Sequence, residues 1–173
     1  MQQVSGLTYA AAVGYDWFYS EIPPEERAAI RAFIIDKGIN LNQYHKYAGD
    51  FGGYTNRNIV ANTGYLLGAL AIWEDEPVLA ASLWNLTTSA MQNGLYMYRG
   101  GAWWEGWVYW GYASEHALTV GLTLNATFGT DFGFSRIDGW VTVICIFSCH
   151  VVNTFLDSGL TGATRSLLSP CFR

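Results

Sequence analysis

Charged residues are scarce in this chain of 173 residues. They make up 13% of the sequence, which is about half the share usual for a soluble domain. Nine lysines and arginines stand against fourteen aspartates and glutamates, so the formal net charge is −5. A chain without a basic stripe is not expected to bind nucleic acid. The length is that of one ordinary domain.

Long apolar runs are also missing. A membrane-spanning helix needs about 18 consecutive apolar residues, and the most apolar run, "WVTVICIFSCHVV" from Trp140 to Val152, is too short. The first residues show no basic region followed by a long apolar stretch, which a signal peptide would have. We therefore expect no membrane span and no signal peptide.

Cysteine is confined to positions 145, 149 and 171, an odd number that defines no disulfide framework. The stretch from Cys145 to His150 reads C-x-x-x-C-H, and three potential ligands without a fourth are a weak zinc signal. G-x-S-x-G, H-E-x-x-H and a P-loop lysine are all missing, so triad hydrolases, metalloproteases and nucleotide-binding proteins have no support. We expect neither a metal nor a cofactor.

Apolar residues recur at helical spacing along most of the chain, whereas strand signals are nearly absent before residue 140. This pattern predicts helices over residues 7–19, 24–37, 57–73, 77–92 and, from 105 or 107, to 127. The stretches "YAGDFGGYTN" and "NGLYMYRGGAWW" are predicted to be loops, and the second could hold a short hairpin. The predicted fold class is all-α, built from antiparallel helical hairpins.

The ends of these segments carry residue types that start and stop helices. Pro24 suits a first helical turn, the two glutamates after it suit the positive end of the helix dipole, and Gly38 is a fitting stop. Asn56 and Asp75 are the predicted N-caps of the next two helices, with Pro77 in the first turn of the second.

The most unusual stretch is "GGAWWEGWVYWGYASEH", residues 100–116, which holds four of the eight tryptophans and two of the eleven tyrosines. Rings beside acids suit a site that grips sugars, although rings also pack between helices. Glu105 could bind a sugar hydroxyl or complement the start of its own helix. The rings that could stack on sugar faces are Trp103, Trp104, Trp107 and Trp110.

Three stretches in order resemble the heparinase II/III-like family of polysaccharide lyases: "YDWFYSEIPPEERAAIRAFIIDKGI", "NRNIVANTGYLLGALAI" and "GGAWWEGWVYWGYASEHALTVGLTLNATFGTDFGFSR". The resemblance covers residues 7–139. It implies that residues 1–139 are part of an (α/α) toroid, which in the family precedes a β-sandwich. Full-length members of such a family are expected in a secreted or periplasmic setting.

The activity that the resemblance implies is β-elimination at a uronic acid of an acidic polysaccharide or oligosaccharide. A base removes the proton on C5, an acid protonates the leaving oxygen on C4, and a third group neutralises the carboxylate, which is usually the largest contribution. By resemblance Tyr112 transfers protons, with Tyr109 in reserve. Asn56 and Asn58 match the asparagines near the carboxylate.

Arg57 departs from the family pattern, which commonly has histidine or tryptophan there. Arginine is a good bidentate partner for a carboxylate, so it could neutralise the uronate and lower the pKa of a tyrosine, ordinarily about 10. It could equally mark a lineage that has lost the reaction. His116 follows Tyr112 by four residues and either shares its face or is structural. We expect Asn56, Arg57, Tyr109 and Tyr112 to line one concave face.

Two other functions remain open. One is a carbohydrate-binding or scaffold protein without catalysis. The other is a helical-toroid glycoside hydrolase, which needs two carboxylates about 5 to 10 Å apart. Its candidates are Asp50, Glu105, Glu115 and Asp131, and the sequence places no pair among them.

The composition changes after Gly139. Beyond it lysine, glutamate and tyrosine are absent, and all the cysteines lie there. We expect residues 140–173 to be an atypical tail, irregular or with a short strand such as "TVICIF". The abrupt end of the resemblance predicts that the tail is not native to the fold and that the chain is a fragment without lyase activity of its own.

Overall fold

A computed structural model describes residues 2–101 and 103–139, and this part of the chain is helical without a strand. The predicted all-α class is therefore confirmed. The predicted tail and its cysteines lie outside the described residues. The helices are α1 (Gln2–Trp17), α2 (Pro24–Phe33), α3 (Leu41–Lys46), α4 (Ala48–Gly52), α5 (Asn56–Ala71), α6 (Pro77–Tyr96) and α7 (Trp107–Phe128).

Helix α2 begins where its proline and acidic residues predict. Pro24 is its first residue, the two glutamates of its first turn face the positive end of the dipole, and Arg31 lies in the last turn. The chain then continues through one wide π-helical turn, Ile34–Gly38, closed by a 2.8 Å bond from the Ile39 N–H to the Ile34 carbonyl. Gly38 thus ends the helical segment as expected.

Two predicted caps are wrong because tertiary partners take the residues. The residue that flanks the start of α6 is Glu76, not Asp75. The Asp75 carboxylate instead forms a 2.8 Å ion pair with Arg31 and accepts a 3.0 Å hydrogen bond from the Tyr15 hydroxyl. Asn56 is the first residue of α5, not the residue that flanks it.

The predicted loops contain short helical turns. α4 occupies half of the glycine-rich "YAGDFGGYTN" stretch. A 3₁₀ turn at Arg99–Gly101 replaces the short hairpin that the second loop could have held. The end of α7 agrees with the sequence, because Gly129 adopts the left-handed conformation, with φ of 68°, and donates to the Asn125 carbonyl.

α1 runs parallel to α5, as the order of their contacts shows. Gln2 bonds to Asn56 near the start of both helices, the Ser5 hydroxyl accepts from the Gly64 N–H, and Tyr15 reaches Asp75 just beyond the end of α5. α7 also starts beside the start of α5, through Glu105. α6 runs the opposite way, because its residue Ala90 lies against Asn58 near the start of α5.

Helix α5 lies in the middle of this arrangement, and 13 of its 16 residues are buried. One core cluster joins α5 to α6 and α7, and the other joins it to α1, α6 and the segment after α2. The first turns of α1, α5 and α7 therefore lie at one end of the molecule and their last turns at the other. The residues singled out by resemblance lie at the first of these ends.

Candidate functional site

Glu105 links α5 to the loop that precedes α7. Its Oε2 accepts a 2.5 Å bond from the Asn56 backbone N–H, and its Oε1 accepts a 2.8 Å bond from the Asn56 side-chain amide. The Gln2 side-chain amide donates to the side-chain oxygen of Asn56 at 2.8 Å. Glu105 therefore complements the positive end of α5 rather than that of its own helix, and both of its oxygens are engaged.

Asn58 lies in the interior and joins three helices. It is fully buried, and its amide donates to the Phe51 carbonyl at 2.6 Å and to the Ala90 carbonyl at 2.8 Å. Both N–H groups of this amide are thus used within the protein. This geometry gives Asn58 a structural role that anchors α4 and α6 to α5.

Arg57 is exposed and pairs with Asp50 of α4 at 3.3 Å. A pair so open to water contributes little to stability, so the guanidinium is free to exchange this partner for another carboxylate. The structure therefore places an exposed cation next to Asn56, at the position where the sequence departs from the family pattern. It does not join Arg57 directly to Tyr112 within the described residues.

The four tryptophans divide into two exposed rings and two that pack inward. Trp104 is 70% exposed and donates to the Tyr54 carbonyl at 3.0 Å, which fixes its position. Trp107 is 57% exposed and stacks on the buried Trp110, with centroids 4.7 Å apart. Trp103 is half-buried, with its ring 4.9 Å from that of Tyr98. Trp104 and Trp107 are the two that present ring faces to solvent.

Tyr109 and Tyr112 are both exposed on α7, one turn apart. The Tyr112 ring meets His116 edge-on at 4.9 Å, and His116 also meets Tyr9 of α1 at 6.4 Å. Burial lowers the pKa of His116, and the Glu115 carboxylate opposes this only in part. Tyr9 completes this aromatic group, and no local sequence signal connects it with α7.

Acidification should destabilise the protein through His116. Its pKa in the folded state lies below the value of about 6.5 that the unfolded chain has. The unfolded chain therefore binds the proton first, and stability present above about pH 6.5 is lost as the pH falls toward the folded pKa. We expect His116→Gln to shrink the fall in urea midpoint between about pH 7 and pH 5. His45→Gln, on the exposed surface of α3, is the control and should keep the wild-type pH dependence.

The carboxylates proposed for a hydrolase are mostly engaged elsewhere. Asp50 pairs with Arg57, Glu105 with Asn56, and Asp131 accepts a 3.0 Å bond from the Gly133 N–H in its own turn. Glu115 alone among the four is an exposed residue in the middle of a helix. The geometry gives the hydrolase alternative no support.

In the part of the chain that the structure describes, no group of three or more histidine, cysteine or carboxylate side chains is arranged to hold a metal ion. None of the helices in that part has the length and apolar character needed to cross a membrane. The sequence matches no protein-family model, and comparison with curated proteins finds no relative.

Proposed function

We propose that these helices are part of the toroid domain of a polysaccharide lyase and that the end formed by the first turns of α5 and α7 binds a uronate-containing glycan. The observation that carries the proposal is the exposure of aromatic rings at this end. Trp104, Trp107, Tyr109 and Tyr112 all remain open to solvent within nine residues of sequence. Three of these rings lie on α7 and Trp104 lies just before it, and exposed rings suit the apolar faces of sugar rings.

The helical arrangement supports the same proposal. α1, α5 and α7 run in one direction, and α6 returns between the last two. Repetition of such hairpins is how helical toroids are built. The three stretches that resemble the lyase family are residues 15–39, from the end of α1 through α2, residues 56–72, which contain α5, and residues 100–136, which include α7.

In the proposed reaction Tyr112, in its ionised form, takes the proton from C5 while the bond between C4 and its glycosidic oxygen breaks. A double bond forms between C4 and C5, and the Tyr112 hydroxyl then gives its proton to the leaving oxygen, which returns the tyrosine to its ionised form. Arg57 exchanges Asp50 for the uronate carboxylate and stabilises the negative charge that develops on it. Trp107 holds the sugar ring.

Binding without catalysis is the second candidate, and the hydrogen bonds of the two asparagines favour it. Asn56 donates to Glu105 and accepts from Gln2. Asn58 donates to two backbone carbonyls. Both side chains are buried, so neither amide is presented to a substrate carboxylate. Arg57 is then the proposed partner of the substrate carboxylate. Elimination and binding are therefore tested separately.

Binding is tested by calorimetry with a hexuronate oligosaccharide and a neutral oligosaccharide of equal length. Trp107→Ala should weaken binding of both oligosaccharides about fivefold to tenfold because it removes the exposed ring. Arg57→Gln should weaken binding of the hexuronate oligosaccharide and leave that of the neutral one unchanged. Trp17→Ala, an exposed tryptophan at the other end of the molecule, is the matched control and should bind normally. Equal affinity of Trp107→Ala and wild type would refute the binding surface.

Elimination is followed by the ultraviolet absorbance of the unsaturated uronate. The chain alone is expected to bind without producing it. In a protein that carries these helices within a closed toroid, Tyr112→Phe should abolish the absorbance change and leave binding intact. Full activity of Tyr112→Phe would exclude this tyrosine as the base, and loss of activity in Tyr109→Phe alone would move the role there.

A further inference from the structure

A second concave surface lies at the opposite end of the same helices. It is a groove between the C-terminal halves of α1 and α7, with Leu67 and Leu70 of α5 as its floor, and its volume is about 660 Å³. Small-molecule sites typically have about 300–1,000 Å³. Leu67 and Leu70 are 11 and 14 residues from Asn56, or about 16 and 21 Å at 1.5 Å per residue. The groove therefore lies toward the opposite end of α5, and it adjoins the proposed glycan surface only through Tyr9, whose ring contacts His116 beside Tyr112.

Aromatic rings form much of the groove wall. Tyr9 and Trp17 come from α1, and Trp73 follows the end of α5. Trp17 is 75% exposed, so its ring face is open to a ligand. Trp73 is held by an edge-on contact with Trp84 at 6.1 Å, which gives that wall a fixed position. The lining thus combines an apolar floor with both a free and a fixed ring.

The charges in the groove are predominantly negative. Asp16, Glu74 and Asp75 all line it. Asp75 is neutralised by Arg31 at 2.8 Å, whereas Asp16 and Glu74 form no ion pair within the described residues. Two unpaired carboxylates beside exposed rings attract a cation and repel an anion. A uronate glycan is thus a poor occupant of this groove.

We propose that this groove binds an organic cation, a protonated amine or quaternary ammonium carried on a small apolar body. The charged head lies over the Trp17 ring between Asp16 and Glu74, where the ring quadrupole and the carboxylates act together. The apolar body rests on Leu67 and Leu70. A neutral ligand gains from the floor and the rings but not from the two charges, so charge determines selectivity.

The test compares choline with its neutral isostere 3,3-dimethylbutan-1-ol, titrated against the intact chain and followed by NMR shifts of the Thr119 and Thr123 methyl groups, which line the groove. Choline should shift both methyl signals saturably and bind at least fivefold more tightly than the isostere. Asp16→Asn and Glu74→Gln should each weaken choline about threefold, and Trp17→Ala about fivefold. Asp16→Asn and Glu74→Gln should leave the affinity for the isostere unchanged. Trp17→Ala should weaken binding of the isostere only through the lost contact with the ring.

Glu25→Gln removes one negative charge from an exposed position on α2 and serves as the charge control. It should leave choline affinity unchanged. The proposal is overturned if the isostere binds as tightly as choline, if Glu25→Gln weakens choline as much as Asp16→Asn, or if neither threonine methyl shifts. Because the glycan surface is probed with Trp107 and Arg57 variants, failure at either end leaves the other result intact.

Discussion

Gly64→Ala is expected to lower the free energy of unfolding by about 3 kcal/mol, the upper end of the usual cost of overpacking a core. Gly64 lies at a close approach of α1 to α5. A methyl group there would be 2.5 Å from the carbonyl oxygen and 2.7 Å from the Cα of Ser5, both backbone atoms that cannot rotate away. The two helices would have to separate, which also breaks the bond from the Gly64 N–H to the Ser5 hydroxyl.

Urea unfolding followed by circular dichroism measures this loss. Gly14→Ala is the matched control, because Gly14 is also helical but a methyl group there meets no atom within 4 Å. Alanine favours a helix over glycine, so the control should be more stable by about 0.5–1 kcal/mol. If Gly64→Ala were stabilised to the same degree, the close approach of α1 to α5 would be wrong.

Glu105→Ala should lower the free energy of unfolding by about 2 kcal/mol, because it removes two charge-assisted bonds and leaves the Asn56 N–H groups without a partner. Glu105→Gln keeps one acceptor oxygen and should lose about half as much. The effect acts through α5, so amide signals of the first turn of α5 should shift more than those of α7.

Glu115→Ala provides the comparison for this prediction. Glu115 is exposed in the middle of α7, and its replacement should change stability by no more than about 0.5 kcal/mol. A loss from Glu105→Ala no larger than that would mean that the carboxylate does not cap α5. A loss confined to α7 would instead restore the expectation that Glu105 serves its own helix.

Local signals were sufficient to predict the five longer helices, but not the short helices α3 and α4 and not the partners of any helix. Pro24 and Gly38 begin and end a segment through their own backbone preferences, so the sequence locates them directly. Asp75 has the composition of an N-cap, yet Arg31 and Tyr15 compete for its carboxylate from 44 and 60 residues away, by the difference of their numbers. Only the packing of α1 and α2 against the start of α6 decides that competition.

The site shows the same division. Helical spacing alone places Tyr109, Tyr112 and His116 on neighbouring positions of α7. It cannot show that Trp110 turns inward while Trp107 covers it, because both rings fit either environment. Nor can it show Tyr9 beside His116, since that contact depends on how α1 lies across α5. The groove between α1 and α7 depends on the same packing, so the sequence does not predict it.

The central position of α5 has a consequence for how the chain acquires its structure. The helix packs against α1 through bonds that span 54 to 59 residues. A loop of that length must close before α5 gains its partner on that side, and such non-local contacts raise the contact order. We therefore expect folding to be slow compared with simple up-and-down bundles. Once α5 is enclosed, its amide protons can exchange with water only when the whole domain opens, so their exchange rates report global stability.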